Sequence, residues 1–226
     1  MNYTCSAVVL AAGLSRRMGA FKLLLPWQGH TVIRQVVMTL AEAGLDDVLV
    51  VTGYRAADLA PALAGTIART VVNQDFEKGM LTSIQAGLAA LSAERPRKPA
   101  ALLCLGDQPQ IQAGLVRAIL AAGAAHDWAS IVVPSFAGRA GHPILLPQGR
   151  WPEVLATEEP LRAVMAAHRD STVYLPVAGP AMLADLDTPA DYQSMIAGDP
   201  ERGWPQAEGE SGEAGKSGAR ELGDGD

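Results

Sequence analysis

Short apolar segments alternate along the chain with segments whose apolar residues recur at helical spacing. The short segments, several of them rich in β-branched residues, predict strands. The predicted strands are residues 6–10, 47–52, 69–72, 101–105, 130–134, 144–146 and 172–176. The helically spaced segments predict amphipathic helices over residues 31–43, 81–91, 113–122, 160–168 and 189–196.

The order of these elements indicates the fold class. Strands that alternate with helices are typical of an α/β protein with a mostly parallel sheet. We therefore predict a Rossmann-like, doubly wound sheet with helices on both faces. Because ligands bind such sheets beyond the carboxyl ends of the strands, the functional residues are expected directly after strands.

Charge is distributed unevenly along the 226 residues, whose formal net charge is −6. Residues 198–226 contain eight acidic and three basic residues, so this segment carries −5 and residues 1–197 carry −1. The nearly neutral body gives no indication of nucleic-acid binding. The segment 198–226 is rich in Gly and Glu with little to bury, so we predict an acidic disordered tail that follows a single domain over residues 1–197.

Apolar runs and cysteines bear on the cellular compartment. The longest apolar runs are far shorter than the roughly 20 residues of a membrane-spanning helix, so no membrane segment is predicted. The first apolar run leads into Arg16 and Arg17 and not into a signal-peptide cleavage site, which favours the cytoplasm. Cys5 and Cys104 lie in or beside predicted strands and are expected to be buried, reduced thiols.

A concentration of positive charge follows the first predicted strand. Residues 11–15, AAGLS, form a small-residue loop in which backbone N–H groups can approach an anion closely. Arg16, Arg17 and Lys22 add side-chain charge suited to a triphosphate. Neither a Walker loop nor a dinucleotide-binding GxGxxG loop is present. The alternative is an ordinary connection with solvated basic residues.

The stretch AVVLAAGLSRRMGAFK resembles the LAAGxSxRMGxxK signature of the MobA-like nucleotidyltransferases related to molybdenum cofactor biosynthesis. This resemblance implies a fold of the nucleotide-diphospho-sugar transferase type. It also implies a phosphate-binding role for Gly13, Arg17 and Lys22, and a base-lining role for Leu10, Ala11 and Ala12.

The stretch ALLCLGDQPQ places a carboxylate, Asp107, directly after a buried strand. A carboxylate there suits Mg²⁺, which prefers a few carboxylates together with phosphates and waters. An Asp in this position is otherwise a turn residue or a helix N-cap. In the resembled family the GDxP stretch carries the metal-binding Asp, which implies that role for Asp107.

Residues 73–83 form a polar loop that leads into a predicted helix. Helix capping alone would explain Thr82 and Ser83. The pattern NxxxxxGMxTS resembles the base- and ribose-contacting loop of the cytidylyltransferase branch, which implies nucleotide binding by Asn73, Thr82 and Ser83. The resemblance of this loop and the sequence LAAG at residues 10–13 both favour CTP over GTP as the substrate.

Two further stretches extend the resemblance. GHPIL resembles a stretch near the second substrate in the molybdopterin cytidylyltransferase branch, which implies that Gly141 and His142 contact the acceptor, although a lone His beside Pro is usually structural. DLDTPADY resembles the C-terminal stretch in which the Asp before Thr-Pro supplies a second Mg²⁺ ligand. That implies Asp187 as a ligand, with Asp185 the weaker candidate, whereas Thr188 and Pro189 are explained locally as a helix start.

Together these stretches predict a Mg²⁺-dependent enzyme with Arg17, Lys22 and Asp107 as its catalytic residues. The resemblance implies transfer of CMP from CTP to the phosphate of molybdopterin, and a client molybdoenzyme of the xanthine dehydrogenase class. The alternatives are a guanylyl- or cytidylyltransferase for another phosphate acceptor, and a chaperone that binds nucleotide and delivers the cofactor without turnover. A generic α/β binding module is a further alternative.

Overall fold

A computed structural model describes residues 5–197 of the chain, and the predicted tail lies outside these described residues. Helices cover a central sheet. The strands are β1 (Ser6–Ala11), β2 (Pro26–Trp27), β3 (His30–Thr31), β4 (Val48–Thr52), β5 (Ala68–Val72), β6 (Ala100–Leu105), β7 (Ile131–Phe136), β8 (Arg139–Ala140), β9 (Ile144–Pro147) and β10 (Thr172–Pro176). The helices are α1 (Val32–Glu42), α2 (Ala56–Leu63), α3 (Met80–Ala93), α4 (Ala113–Ala125), α5 (Trp151–Ala156), α6 (Leu161–Ala167) and α7 (Pro189–Ile196).

Every predicted strand and helix is present, with ends that differ by a few residues. The pattern missed α2, α5, the hairpin β2–β3 and the short strand β8. Helix α2 has eight residues, contains Pro61 and buries only Leu59 and Leu63, so its apolar stripe is too short to show a period. Helix α5 has only six residues. Within residues 5–197, no helix combines the length and apolar character needed to cross a membrane.

The strands of the main sheet are ordered β10-β7-β9-β6-β1-β4-β5, and β8 pairs with β7. Strand β1 runs parallel to both β4 and β6, and β5 runs parallel to β4. Strand β9 is antiparallel to β6 and β7, whereas β10 is parallel to β7. The order of the strands reverses around β1, which creates a crevice at the carboxyl ends of β1 and β6.

Two apolar layers hold the helices to the sheet. Successive side chains of β1 alternate between them: Ala7 and Val9 pack into the layer that includes α1, α2, α4 and α7, and Val8 packs into the layer that includes α3, α5 and α6. On α3, Gly87 allows close approach, because a Cβ there would lie 2.5 Å from Val8 Cγ1. The predicted doubly wound α/β fold is confirmed.

A backbone hydrogen bond joins the two loops at the crevice. The Gly106 N–H donates to the Leu10 carbonyl oxygen over 3.0 Å, directly after β6 and near the end of β1. A Cβ at position 106 would lie 2.8 Å from the same oxygen. The absence of a side chain at Gly106 is therefore what allows the two strands to deliver their loops side by side.

Both cysteines are free and buried, as predicted. Burial raises the pKa of each thiol, because the thiolate would be poorly solvated among apolar neighbours. Neither thiol is therefore suited to act as a nucleophile.

Candidate active site

A cleft of about 380 Å³ lies at the carboxyl ends of β1 and β6, within the size range of small-molecule sites. Nine sequence-predicted site residues line it: Leu10, Ala11, Ala12, Gly13, Arg17, Lys22, Ser83, Asp107 and Asp187. The other lining residues are Leu23, Phe76, Gly79, Met80, Leu105 and Asp185. The cleft thus gathers residues that lie far apart in the sequence.

The loop after β1 turns sharply past the cleft. Ser15 has a φ of 51°, in the left-handed region, and its carbonyl oxygen accepts the Met18 N–H over 3.0 Å. Met18 is buried and anchors the turn, whereas Gly13 is exposed, with open space where a Cβ would lie. The backbone at Gly13 is consequently accessible to a ligand.

Two cations and two carboxylates form a network across the cleft. The Lys22 ammonium donates to Asp107 and also reaches Asp187 Oδ1 at 3.4 Å. Arg17 Nη2 donates to Asp187 Oδ2 over 2.8 Å. The side chains of Lys22 and Asp107 are each 15% exposed, whereas that of Arg17 is 71% exposed. Lys22 therefore lies between two carboxylates in the floor of the cleft, with Arg17 at its rim.

Asp185 is a third carboxylate in the cleft. Its Oδ1 accepts a hydrogen bond from Gln108 Nε2 over 2.8 Å. Burial and the negative charges of Asp107 and Asp187 raise the pKa of Asp185 above its ordinary value, although the hydrogen bond from Gln108 opposes the shift. Sequence reasoning ranked Asp185 below Asp187 and did not single out Gln108. The two-residue spacing of the carboxylates was the available signal for Asp185.

The donor set of the cleft suits a hard divalent cation. Among the residues described, no group of three or more His, Cys, Asp or Glu side chains is arranged to hold a metal ion. Asp107 and Asp187 nevertheless face the same ammonium group, so their oxygens lie close together. Mg²⁺ typically binds one or two carboxylates together with substrate phosphates. These residues fit a cation that is held jointly by the protein and a nucleotide.

The predicted polar loop is only partly exposed to the cleft. Asn73 is buried, and its Nδ2 donates to Thr82 Oγ1 over 2.9 Å and to Ser83 Oγ over 3.0 Å. The Asn73 Oδ1 accepts the Asp75 N–H over 2.9 Å. Asn73 and Thr82 therefore stabilise the loop through hydrogen bonds within it. Of Asn73, Thr82 and Ser83, Ser83 is the residue that lines the cleft. The N-cap of α3 is Gly79, so neither hydroxyl residue caps the helix.

Gly141 and His142 lie outside the lining of the cleft. They contact Met182: the His142 N–H donates to its carbonyl oxygen over 3.4 Å, and a Cβ at Gly141 would lie 2.3 Å from that oxygen. Burial lowers the pKa of His142 to about 4, against the opposing effect of Asp107. The imidazole is consequently neutral near pH 7.

The start of α7 combines a structural and a site feature. Thr188 Oγ1 accepts the Asp191 N–H over 3.2 Å, and Asp191 Oδ2 accepts the Thr188 N–H over 2.8 Å, which completes a capping box. The predicted N-cap at Thr188 and first-turn Pro189 are confirmed. Asp187 directly precedes this cap, so the helix start holds its carboxylate at the cleft.

Comparison with known proteins gives consistent relatives. The molybdenum cofactor cytidylyltransferase of Escherichia coli strain K12 is 27% identical over 186 residues, covering 82% of this chain and 92% of that protein. The purine catabolism protein PucB of Bacillus subtilis strain 168 is 32% identical over 198 residues, covering 83% and 94%. The crystal structure of Rv0371c from Mycobacterium tuberculosis H37Rv is 29% identical with a TM-score of 0.73, covering 87% and 99%, and another structure of Rv0371c is a complex with manganese.

Residues 7–172 match the family model described as the MobA-like NTP transferase domain, which is more than half of the chain. This range includes Lys22 and Asp107, and Asp187 follows it. The predicted fold of the nucleotide-diphospho-sugar transferase type is confirmed by the solved structures. The chain belongs to the MobA-like NTP transferase family and is a nucleotidyltransferase.

Proposed function

We propose that this nucleotidyltransferase transfers CMP from CTP to the phosphate of molybdopterin, giving molybdopterin cytosine dinucleotide and pyrophosphate, with Mg²⁺ as cofactor. The observation that carries the proposal is the position of Lys22 between Asp107 and Asp187, with Arg17 of the loop after β1 also paired with Asp187. The two carboxylates suit a metal ion, and the two cations suit the triphosphate that accompanies it. The similarity to the cytidylyltransferase of Escherichia coli supports the choice of substrates.

The triphosphate would lie along the loop after β1. The exposed backbone at Gly13 would donate its N–H to a phosphate, while Arg17 and Lys22 would supply positive charge. Leu10, Ala11 and Ala12 provide a short apolar wall for the base. Ser83 would add a hydroxyl at the base and ribose side, held in place by Asn73, which also donates to Thr82.

Asp107 and Asp187 would hold Mg²⁺ once a triphosphate draws the Lys22 ammonium towards its phosphates. When bound, Mg²⁺ neutralises charge on the phosphates and the leaving group. The role of the protein is to hold the two carboxylates at the position that the phosphates approach. Because Lys22 and Asp107 are largely shielded from water, their charges act there with little screening.

The proposed reaction is an in-line displacement at phosphorus. An oxygen of the acceptor phosphate bonds to the α-phosphorus of CTP, the bond from that phosphorus to the β-phosphate oxygen breaks, and pyrophosphate leaves with the electron pair. The acceptor phosphate is ionised near pH 7, so no general base is needed. Gly141 and His142 are proposed to contact the acceptor, and the neutral imidazole would do so without adding charge.

The proposed client is a molybdoenzyme of the xanthine dehydrogenase class that receives the finished dinucleotide. The name of the relative from Bacillus subtilis refers to purine catabolism, and xanthine is a purine, which supports this class of client. The two buried, free thiols are compatible with the cytoplasmic location that we propose for both proteins.

The test is incubation of the purified protein with Mg²⁺, molybdopterin and each of CTP, GTP, ATP and UTP in turn. We expect pyrophosphate and dinucleotide with CTP, and neither after metal removal by EDTA. Dinucleotide formed only with GTP, or only with another phosphate acceptor, would contradict the proposal. Tight binding of the dinucleotide without release of pyrophosphate would favour the chaperone alternative.

A further inference from the structure

Gln108, the residue after Asp107, contacts a distant segment of the chain through its side-chain amide. Gln108 is buried, with only 3% of the residue exposed, and its side-chain Nε2 donates to Asp185 Oδ1 over 2.8 Å. The same nitrogen lies 3.3 Å from the Ala184 carbonyl oxygen and 3.5 Å from that of Met182. A carboxamide has two N–H donors, so the short contact with Asp185 uses one and the carbonyl groups compete for the other.

Gln110 holds the same segment. Its Nε2 donates to the Ala184 carbonyl oxygen over 2.6 Å and to the Ala181 carbonyl oxygen over 3.0 Å. Two amide side chains of the loop after β6 thus bind residues 181–185, which lie 71 to 77 positions further along the chain. The loop that carries Asp107 is therefore fastened directly to this segment.

This segment leads into Asp187. The Asp187 N–H donates to the Asp185 carbonyl oxygen over 3.1 Å, so the position of one carboxylate residue depends on that of the other. On its other side Asp187 is followed by the capping box of Thr188 and Asp191. Asp187 is thus held between the segment bound by Gln108 and the start of α7.

We propose that Gln108 is a positioning residue that sets Asp187 opposite Asp107 for joint binding of a divalent cation. The inference rests on the proposed function, because it takes these two carboxylates as the metal ligands. One loop then provides one ligand directly, as Asp107, and fixes the other through the buried amide of Gln108. A residue without an N–H donor at position 108 leaves the Asp185 carboxylate without that partner, and although Gln110 still binds the Ala184 carbonyl oxygen, residues 185–187 are held less firmly.

The first measurement is the affinity of the full chain for Mn²⁺, followed by electron paramagnetic resonance of the free ion. The affinity is measured twice, once without nucleotide and once in the presence of the α,β-methylene analogue of CTP. We expect Gln108→Met to weaken Mn²⁺ binding by about 10-fold or more. The affinity for the analogue in EDTA is expected to change less than about twofold. Gln108→Asn, which keeps a polar amide but is too short to reach Asp185, is expected to weaken Mn²⁺ binding as well.

Gln85→Met is the matched control. The Gln85 Nε2 donates to two backbone carbonyl groups, of Val154 over 3.0 Å and Thr157 over 2.8 Å, but these contacts join α3 to the region of α5, away from the carboxylates. This variant also loses the hydrogen bonds of a side-chain amide and is expected to bind Mn²⁺ like the parent. Equal losses in the Gln85 and Gln108 variants would overturn the inference, because the effect would then follow from general loosening.

A double-variant comparison tests whether Gln108 acts through Asp187. In an Asp187→Asn background, Gln108→Met is expected to weaken Mn²⁺ binding by less than about twofold, since the ligand that it positions is already lost. The same factor in both backgrounds would overturn the inference. Absence of pyrophosphate release from CTP by the parent protein would instead count against the proposed function, while the coupling of Gln108 to Asp187 would still be measured by Mn²⁺ binding.

Discussion

Lys22 and Asp107 form an ion pair in the floor of the cleft although they lie 85 positions apart in the sequence. The same ammonium reaches Asp187 Oδ1 at 3.4 Å, so one cation serves two carboxylates. A triphosphate would compete with both carboxylates for this ammonium. Nucleotide binding is therefore expected to free Asp107 and Asp187 from Lys22, so that they can bind the metal ion.

Removal of the Lys22 charge is the most direct test of this arrangement. We expect Lys22→Met to lower kcat/KM for CTP by about 100-fold or more, because a shielded cation near the phosphates is lost. Lys98→Met is the control, since Lys98 contacts Asp46 at 3.5 Å away from the cleft. Steady-state rates of pyrophosphate release measure both variants. A loss of less than about threefold for Lys22→Met would contradict its assignment.

Substitutions of the two proposed metal ligands, Asp107 and Asp187, are expected to reduce activity to different extents. Asp107→Asn removes a largely shielded carboxylate, and we expect a loss in kcat of about 100-fold to 1,000-fold that added Mg²⁺ does not restore. Asp187 is more exposed, at 35%, so we expect Asp187→Asn to raise the Mg²⁺ concentration needed for half-maximal rate. Asp58→Asn, which alters a surface pair with Arg55, is the control. Full activity of Asp107→Asn would eliminate a metal role for this residue.

Gly106 tests the close approach of the two loops. In Gly106→Ala the new Cβ would lie 2.8 Å from the Leu10 carbonyl oxygen and 3.3 Å from Ile33 Cδ1. We expect the free energy of unfolding to fall by about 1–3 kcal/mol, as for overpacking in a core. Gly114→Ala is the matched control, because it lies in α4 with nothing within 4 Å of the new Cβ. Its stability should rise by up to about 1 kcal/mol. Urea denaturation measures both variants, and equal effects would refute the steric explanation.

The lowered pKa of His142 predicts that the stability of the protein depends on pH. Burial lowers its pKa from 6.5 to about 4, so between these values the unfolded chain binds a proton that the folded protein does not. The contribution of neutral His142 is therefore fully present above pH 6.5 and is lost as the pH falls towards 4. Relative to His142→Asn, the parent should lose about 2 kcal/mol of stability between about pH 7 and about pH 4.5.

Urea denaturation at several pH values measures this difference. The comparison with His142→Asn cancels the acid titration of the carboxylates, which both proteins share. His126→Asn changes an imidazole at the end of α4, where the residue is exposed, and serves as the control. A constant difference between parent and His142→Asn over this range would show that burial does not perturb the group.

The fold was predictable because its strands stand out as short apolar runs and its longer helices show apolar residues at helical spacing. Loops at the carboxyl ends of β1 and β6 could also be located, since each follows a continuous apolar run. Short elements such as α2 bury too few apolar residues to show a period. Local pattern thus recovers the architecture and the place of the cleft.

Contacts between distant segments were not predictable in the same way. Asn73, Thr82 and Ser83 look alike as polar candidates, yet two of them brace the loop and only Ser83 lines the cleft. Which hydroxyl faces the cleft depends on how α3 enters from Gly79, a feature of tertiary packing. The contact of Gln108 with Asp185 likewise joins residues 77 positions apart and has no local signature.

Helix α7 bears on the order in which the cleft is completed during protein synthesis. The helix starts just after Asp187 and is anchored by Tyr192, which is fully buried and whose hydroxyl donates to the Pro26 carbonyl oxygen over 2.6 Å. A nascent chain that has left the ribosome only as far as β10 contains Lys22 and Asp107 but lacks Asp187, the second carboxylate that contacts Lys22. Transfer activity should therefore arise late in biogenesis, after the sheet has assembled and α7 has docked.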